Sequence, residues 1–372
     1  MNMPRRTPFF ARISPAGTLL VCHAFVCALW PCLAPISAAN AQEVNAKSVV
    51  TRIGFGSCIR QDRQQPIWQA IINDRPDLFL LIGDNIYGDS DDVEVLQFKY
   101  NQLGSNPGYQ KLKSICPILA TWDDHDYGIN DGGVEFSAKR ESQKLFNDFF
   151  EVPADSPRRQ REGIYDSIIV GPPKQRVQII LLDTRYFRSP LNAVRKTGSG
   201  LGPYGPTTDP TATVLGEAQW QWLEEQLRQP AEIRVIASSI QFVPDEHGWE
   251  MWGNFPRERK RMIQLITETK ANGVLFISGD RHLAELSRMT PENDQTPYTI
   301  LDLTSSSLNQ PSGGGNENEA NRYRVGEHYL KVNYGTIEIA WTETPTLTLS
   351  IRNLDGKPVF KHQVLLSELK HR

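Results

Sequence analysis

Four apolar runs in this 372-residue chain end in side chains able to hold a cation. RIGFG (52–56) leads through Ser57 to Cys58, and LFLLIG (78–83) leads to Asp84 and, three residues on, Tyr87. ILATW (118–122) leads to Asp123, Asp124 and His125, and LFISG (275–279) leads to Asp280, Arg281 and His282. Carboxylates suit calcium, magnesium or manganese, whereas a thiolate, a phenolate and an imidazole suit a transition metal. Taken together, Cys58, Asp84, Tyr87, Asp124, Asp280 and His282 read as ligands of two unlike metals that share Asp84. Each has a plainer reading alone: a GD pair can be a turn, Cys58 a small buried apolar side chain, Tyr87 a core residue. Their coincidence at four strand ends is what favours a metal. Three or more carboxylates crowded in a partly dry crevice would repel one another and protonate, and a multivalent cation removes that conflict. Two metals about 3.5–4 Å apart are a common device for hydrolysing phosphate esters.

These residues meet only if the runs lie side by side. Apolar strands are predicted over 50–56, 77–83, 115–122, 233–242 and 273–279, with a hairpin over 165–171 and 176–184. Helical patterns fall between them, at 66–74, 93–103, 137–150, 216–229 and 258–272, and four short β-like runs close the chain. Buried strands alternating with helices argue for an α/β fold with mixed sheets, and the carboxyl ends of such strands converge on one crevice. The polar, Gly-rich stretch 305–326 reads as a lid.

The N-terminus has the layout of a secretory signal peptide: Arg5, Arg6 and Arg12, an apolar run, then Ala39-Asn40-Ala41 as a cleavage site. Pro31 and Pro35 interrupt the run, against a retained anchor. Cleavage of residues 1–41 takes three of the 40 basic residues and none of the 43 acidic ones, so bulk charge gives no sign of nucleic-acid binding. Residues 42–372 read as one exported domain with no transmembrane segment, periplasmic or extracellular. Cys58 and Cys116 are its two cysteines; a disulfide is conceivable in such a compartment, but the position of Cys58 suggests other work.

The segments GSC (56–58), GDNIYGD (83–89), WDDHDYGIND (122–131), LGEAQWQWL (215–223) and SGDRHLAE (278–285) occur in the order seen in the alkaline phosphatase D (PhoD-like) family. The chain thus resembles that branch of the calcineurin-like metallophosphoesterases, over roughly 50–340. The resemblance implies a four-layer αββα sandwich with the metal site at the strand C-termini. It also implies ferric iron (Fe3+) on the Cys58 and Tyr87 side and calcium (Ca2+) on the carboxylate side. Asp84 matches the bridging aspartate, Asp124 stands where the wider superfamily has an asparagine, and Asp280 and His282 match the last ligand pair. His125 matches the catalytic histidine that serves the leaving group. The middle histidine of the wider superfamily has no counterpart near SSIQF (238–242), so water or Gln241 would complete the second metal. Arg281 sits where many relatives have a small apolar residue, and it points either to substrate or away.

The expected reaction is hydrolysis of phosphodiesters or phosphomonoesters by a hydroxide held between the metals. His125 would protonate the departing oxygen, with Asp126 or a backbone carbonyl on its other ring nitrogen. Arg60, Arg185 and Asn130 are candidates for contacting substrate phosphate, arginine because its fork offers parallel donors. The partner is a small phosphoester or a phospholipid. The rival readings are a phospholipid-headgroup hydrolase, a non-catalytic metal-binding protein and a redox iron protein.

Overall fold

A computed structural model describes residues 44–194, 201–313 and 316–371. The expected signal peptide lies outside the described residues. The described residues form one compact unit.

The first three strands, β1 (Arg52–Gly56), β2 (Leu78–Ile82) and β3 (Ile118–Thr121), are the three N-terminal apolar runs of the sequence. The hairpin follows as β4 (Asp166–Val170) and β5 (Val177–Leu181), then a short ribbon of β6 (Asn192–Ala193) and β7 (Tyr204–Gly205). Next come β8 (Ile233–Ala237), β9 (Val274–Ser278), β10 (Ala284–Met289) and β11 (Ile300–Ser305). The chain closes with β12 (Asn333–Ala340), β13 (Thr346–Asn353) and β14 (Pro358–Leu365). Two six-stranded sheets result, in the orders β14-β13-β12-β1-β2-β3 and β10-β11-β9-β8-β5-β4.

Both sheets are mixed. In the first, β1, β2 and β3 are parallel and β12 runs antiparallel to β1. In the second, β5, β8, β9 and β11 are parallel, and β4 and β10 are antiparallel edges. Strands buried on both faces carry continuous apolar runs, as LFLLI and VLFIS do. Ile53, Phe55, Leu80 and Ile82 of the first sheet share one apolar cluster with Ile179, Val235 and Phe276 of the second. Trp220, Leu223 and Met262, on helices Gly216–Leu227 and Pro256–Glu268, belong to that cluster too. The outer face of the first sheet, through Phe79, Leu81 and Ala120, packs with Trp68, Leu96, Tyr109 and Phe146 from the N-terminal helices. Helices therefore cover two stacked sheets, the expected four layers.

The parallel strands of both sheets bring their carboxyl ends together. Where β1 and β11 leave their sheets, Ser57 and Ser306 form a parallel bridge. The hydroxyl of Thr121, the last residue of β3, donates to the Leu182 carbonyl just after β5, at 2.6 Å. These links join the two sheets at one end, and that end carries the crevice.

Candidate metal centre

Strands β1, β2 and β9 turn sharply as they deliver their side chains. Cys58, Asp84, Asp280 and His282 all have left-handed backbones, with φ of 62°, 51°, 65° and 54°. Such conformations cost a non-glycine residue about 1–3 kcal/mol each and cluster at functional sites. Gly83 makes the β2 turn possible: its φ is 110°, and an added Cβ would come within 2.5 Å of the Asp123 Cβ. Asp126 ties two turns together, accepting from the Asp84 N–H at 3.1 Å, the Asp123 N–H at 2.6 Å and the Asn85 amide at 2.5 Å.

The predicted ligands converge in overlapping groups. Donor atoms of Cys58, Asp84 and His282 lie within 4.8 Å of one another, and so do those of Asp84, Asp124 and His125. Asp123, Asp124 and Asp280 form a third such group. The Cys58 thiol is 3.3 Å from Asp84 Oδ2 and 3.1 Å from the Ser306 hydroxyl. Ser306 also accepts from the His282 N–H at 2.8 Å, and Tyr87 Oη lies 2.9 Å from His282 Nε2. On the other flank, the N–H groups of His125 and Asp131 donate to Asp124 Oδ1 and Oδ2, at 2.8 and 2.7 Å.

The electrostatics suit a cation. Burial, reinforced by Cys58 and Asp124, drives the Asp84 carboxyl well above the usual range. Burial also drives up Asp280, against the pull of Arg281, and lifts Cys58 to about 12 and Tyr87 far above the ordinary phenol value. Asp84 Oδ1 is buried with no hydrogen-bond partner. Burial, with Arg281 and His125 nearby, lowers His282 to about 4, leaving its ring neutral as a ligand must be. Asp124 is lowered, because His125 and Arg185 outweigh its burial. Thiol, phenol, imidazole and orphaned carboxylate thus fit a metal pair, and its charge would relieve their conflict.

His125 is held on two sides. Its Nδ1 is 2.6 Å from Asp89 Oδ1, and the Tyr87 ring lies against it at 4.1 Å between centroids. Burial would lower its pKa, but Asp124 and Asp89 raise it to about 9. A cavity of about 290 Å³ opens over the site, lined among others by Asp124, His125, Asn130, Asp280, Arg281 and His282.

The PhoD-like phosphatase family model matches residues 54–344, a span that holds every one of these residues. This chain belongs to the PhoD-like phosphatase family. It is 23% identical over 319 residues to alkaline phosphatase D of Bacillus subtilis (strain 168), covering 75% of this chain and 53% of that protein. The chain therefore spans about half the length of that curated relative. A solved structure of PhoD superposes with a TM-score of 0.69 at 17% identity, covering 89% of this chain and 73% of that one. A purple acid phosphatase from yellow lupin (Lupinus luteus) gives 0.59 at 13% identity, covering 87% and 55%, so the fold is shared.

Within this PhoD-like frame, several residues sit elsewhere than expected. Arg185 does not reach the cavity. It is wholly buried, its Nε 2.6 Å from Asp123 and its Nη1 2.5 Å from Glu250, while Arg188 holds the other Glu250 oxygen at 2.7 Å. Arg60 pairs with Asp62 at 2.9 Å and stacks over Tyr87 at 5.0 Å, and Asn130 is exposed on the cavity. Gln241 gives its amide to Glu285 and Thr304, both at 2.8 Å, and does not line the cavity. Asp126 serves the backbone and leaves the His125 ring to Asp89. Cys58 and Cys116 are both free and buried. Arg281 lines the cavity, and its guanidinium is held by Glu319 at 2.5 Å. The 305–326 stretch, where described, borders the cavity: Ser312 N–H donates to the His282 carbonyl at 3.1 Å and the Asn316 amide to the Arg281 carbonyl at 2.7 Å. Asp89, Glu250, Ser306 and Glu319 were not singled out from the sequence; only Asp89, within GDNIYGD, lay in a motif that could have pointed to it.

Arg185→Met should lower unfolding free energy by about 3–5 kcal/mol, since it strands Asp123 and Glu250 as buried acids facing one fewer cation. Urea unfolding checks this, and a loss under about 1 kcal/mol would contradict the buried pairing.

Proposed function

We propose that this chain is an exported, metal-dependent hydrolase of phosphodiesters and phosphomonoesters, with residues 42–372 as its single domain. The observation that carries the reading is the pair of ligand groups sharing Asp84, whose second carboxylate oxygen is buried without a partner. Cys58, Tyr87 and His282 would hold one ion, a transition metal by its donors and iron by the family resemblance. Asp124 and Asp280 would hold the other, a hard cation by its donors and calcium by the family resemblance, with Asp84 between them. When bound, the two ions supply Lewis-acid chemistry: a more acidic water and neutralised phosphoryl charge.

The chain's own residues do the rest. Asp89 occupies Nδ1 of His125, which leaves Nε2 to deliver a proton to the departing oxygen. Tyr87 against the ring face and the bond from the His125 N–H to Asp124 fix the imidazole in place. Asn130 offers an exposed amide to substrate oxygens. The basic leader, its apolar run and the A-x-A site support export of the processed chain.

The test is turnover of bis(p-nitrophenyl) phosphate and p-nitrophenyl phosphate before and after chelation, then after reloading with metal. Hydrolysis lost on chelation and regained on reloading is expected; turnover indifferent to chelator overturns the reading. Reloading should also raise stability, by about 2.7 kcal/mol for each site at a hundredfold excess over its dissociation constant. Thermal unfolding of the chelated and reloaded protein measures this directly, and coincident curves would count against a metal held by the folded state.

A further inference from the structure

Trp249 is the one large apolar side chain lining the cavity among the described residues; every other lining residue is polar, charged or glycine. It is 37% exposed, in the loop that follows β8. An exposed indole at the mouth of a polar cavity contributes little to the fold, yet this one is held firmly. The guanidinium of Arg281 lies over its ring at 4.9 Å, and that guanidinium is itself fixed by two N–H bonds to Glu319, at 2.5 and 3.3 Å. The loop backbone is clamped as well. The Trp249 N–H donates to His247 Nδ1 at 3.1 Å, the Gly202 N–H to the His247 carbonyl at 2.6 Å and the Tyr204 N–H to the Gly248 carbonyl at 2.8 Å. Gly202 is required for that approach, since a Cβ there would fall 2.0 Å from the Trp249 nitrogen.

A rigid aromatic surface backed by a fixed cation is suited to receiving another flat ring. Stacking on it buries apolar area with little further ordering, because the indole is already in place. The cavity, at about 290 Å³, lies near the small end of ligand sites. His125 enters from the end of β3 in the first sheet, whereas Trp249 enters from the second sheet, after β8. An arrangement in which His125 serves the leaving group would leave Trp249 to face the group retained on phosphorus.

Resting on the phosphoesterase reading above, we propose that Trp249 is a specificity-determining residue that stacks on the retained substituent, and that the preferred substrates are phosphodiesters whose retained group carries a planar aromatic ring. Bis(p-nitrophenyl) phosphate and methyl p-nitrophenyl phosphate expel the same p-nitrophenolate and differ only in the retained group. With metal-loaded full-length protein, Trp249→Ala should raise KM for the diaryl ester about tenfold, equivalent to about 1.4 kcal/mol. KM for the methyl ester should move by less than about twofold, roughly 0.4 kcal/mol. Metal content and kcat should stay unchanged, and Trp249→Phe should keep most of the aryl preference. Equal shifts on both esters, or none on either, overturn the proposal. The two readings fail separately: if wild-type protein turns over neither ester the phosphoesterase reading falls, whereas wild-type turnover with an unaltered ester preference in Trp249→Ala sinks the stacking role alone.

Discussion

Asp84→Asn should abolish turnover and strip metal from the protein together. The substitution keeps the shape of the side chain and removes its charge. Asp84 is common to the group with Cys58 and His282 and to the group with Asp124 and His125, so both half-sites lose their shared anionic ligand. A neutral amide offers one weak oxygen where the carboxylate offers two. We expect kcat/KM to fall by roughly 10³-fold or more, about 4 kcal/mol of lost transition-state stabilisation. Bound metal, measured by elemental analysis, should fall by at least one ion per chain. The fold should survive, because the Asp84 side chain accepts from the Cys58 thiol at 3.3 Å and its backbone N–H keeps the Asp126 carboxylate. Full activity with full metal content would remove Asp84 from the centre.

His125→Ala should give the second largest effect, and a different one. The ring lines the cavity, and its bonds run to Asp89 and to Tyr87 as a stacking partner. Its removal therefore leaves the proposed ligands in place, and metal content should match wild type. Loss of a positioned proton donor costs roughly 10²–10⁴-fold, but only where the departing oxygen needs a proton. The loss should be large for a phenyl or alkyl leaving group and much smaller for p-nitrophenolate, which leaves readily as an anion. Equal losses across leaving groups, or loss of metal in this variant, would assign His125 to the metal instead. Comparing Asp84→Asn with His125→Ala thus separates binding the ions from moving the proton.

Much of the architecture was legible because the strands are short apolar runs that stop abruptly. LFLLI and VLFIS are buried at every position, and the residues just past them had to carry the crevice's chemistry. β10 escaped notice because its buried residues include Glu285 and Ser287, which no hydrophobic pattern can flag. They are tolerated only through partners from distant segments: Gln241 and Asn321 on Glu285, Arg324 on the other Glu285 oxygen, and Asn321 on Ser287. Arg185 was misread for a related reason. An arginine just beyond a strand looks like a phosphate hook until Asp123 and Glu250, 62 and 65 residues away, are seen to enclose it. The six proposed ligands could be read because they cluster just past four strands, Cys58 after β1, Asp84 and Tyr87 after β2, Asp124 after β3, and Asp280 and His282 after β9, and the geometry of parallel strands does the rest. Ser306 acts on Cys58 and His282, Asp89 on His125 and Glu319 on Arg281, from loops and strand ends whose meeting depends on the whole fold.

The central claim is that residues from both sheets hold two ions around Asp84. Anomalous diffraction from crystals of the metal-loaded protein, collected at the absorption edges of the bound metals, tests it most directly. The account predicts two peaks on either side of the Asp84 carboxylate, one beside Cys58 and His282 and one beside Asp124 and Asp280. No peak at Asp84, or peaks only at unrelated surface acids, would contradict it.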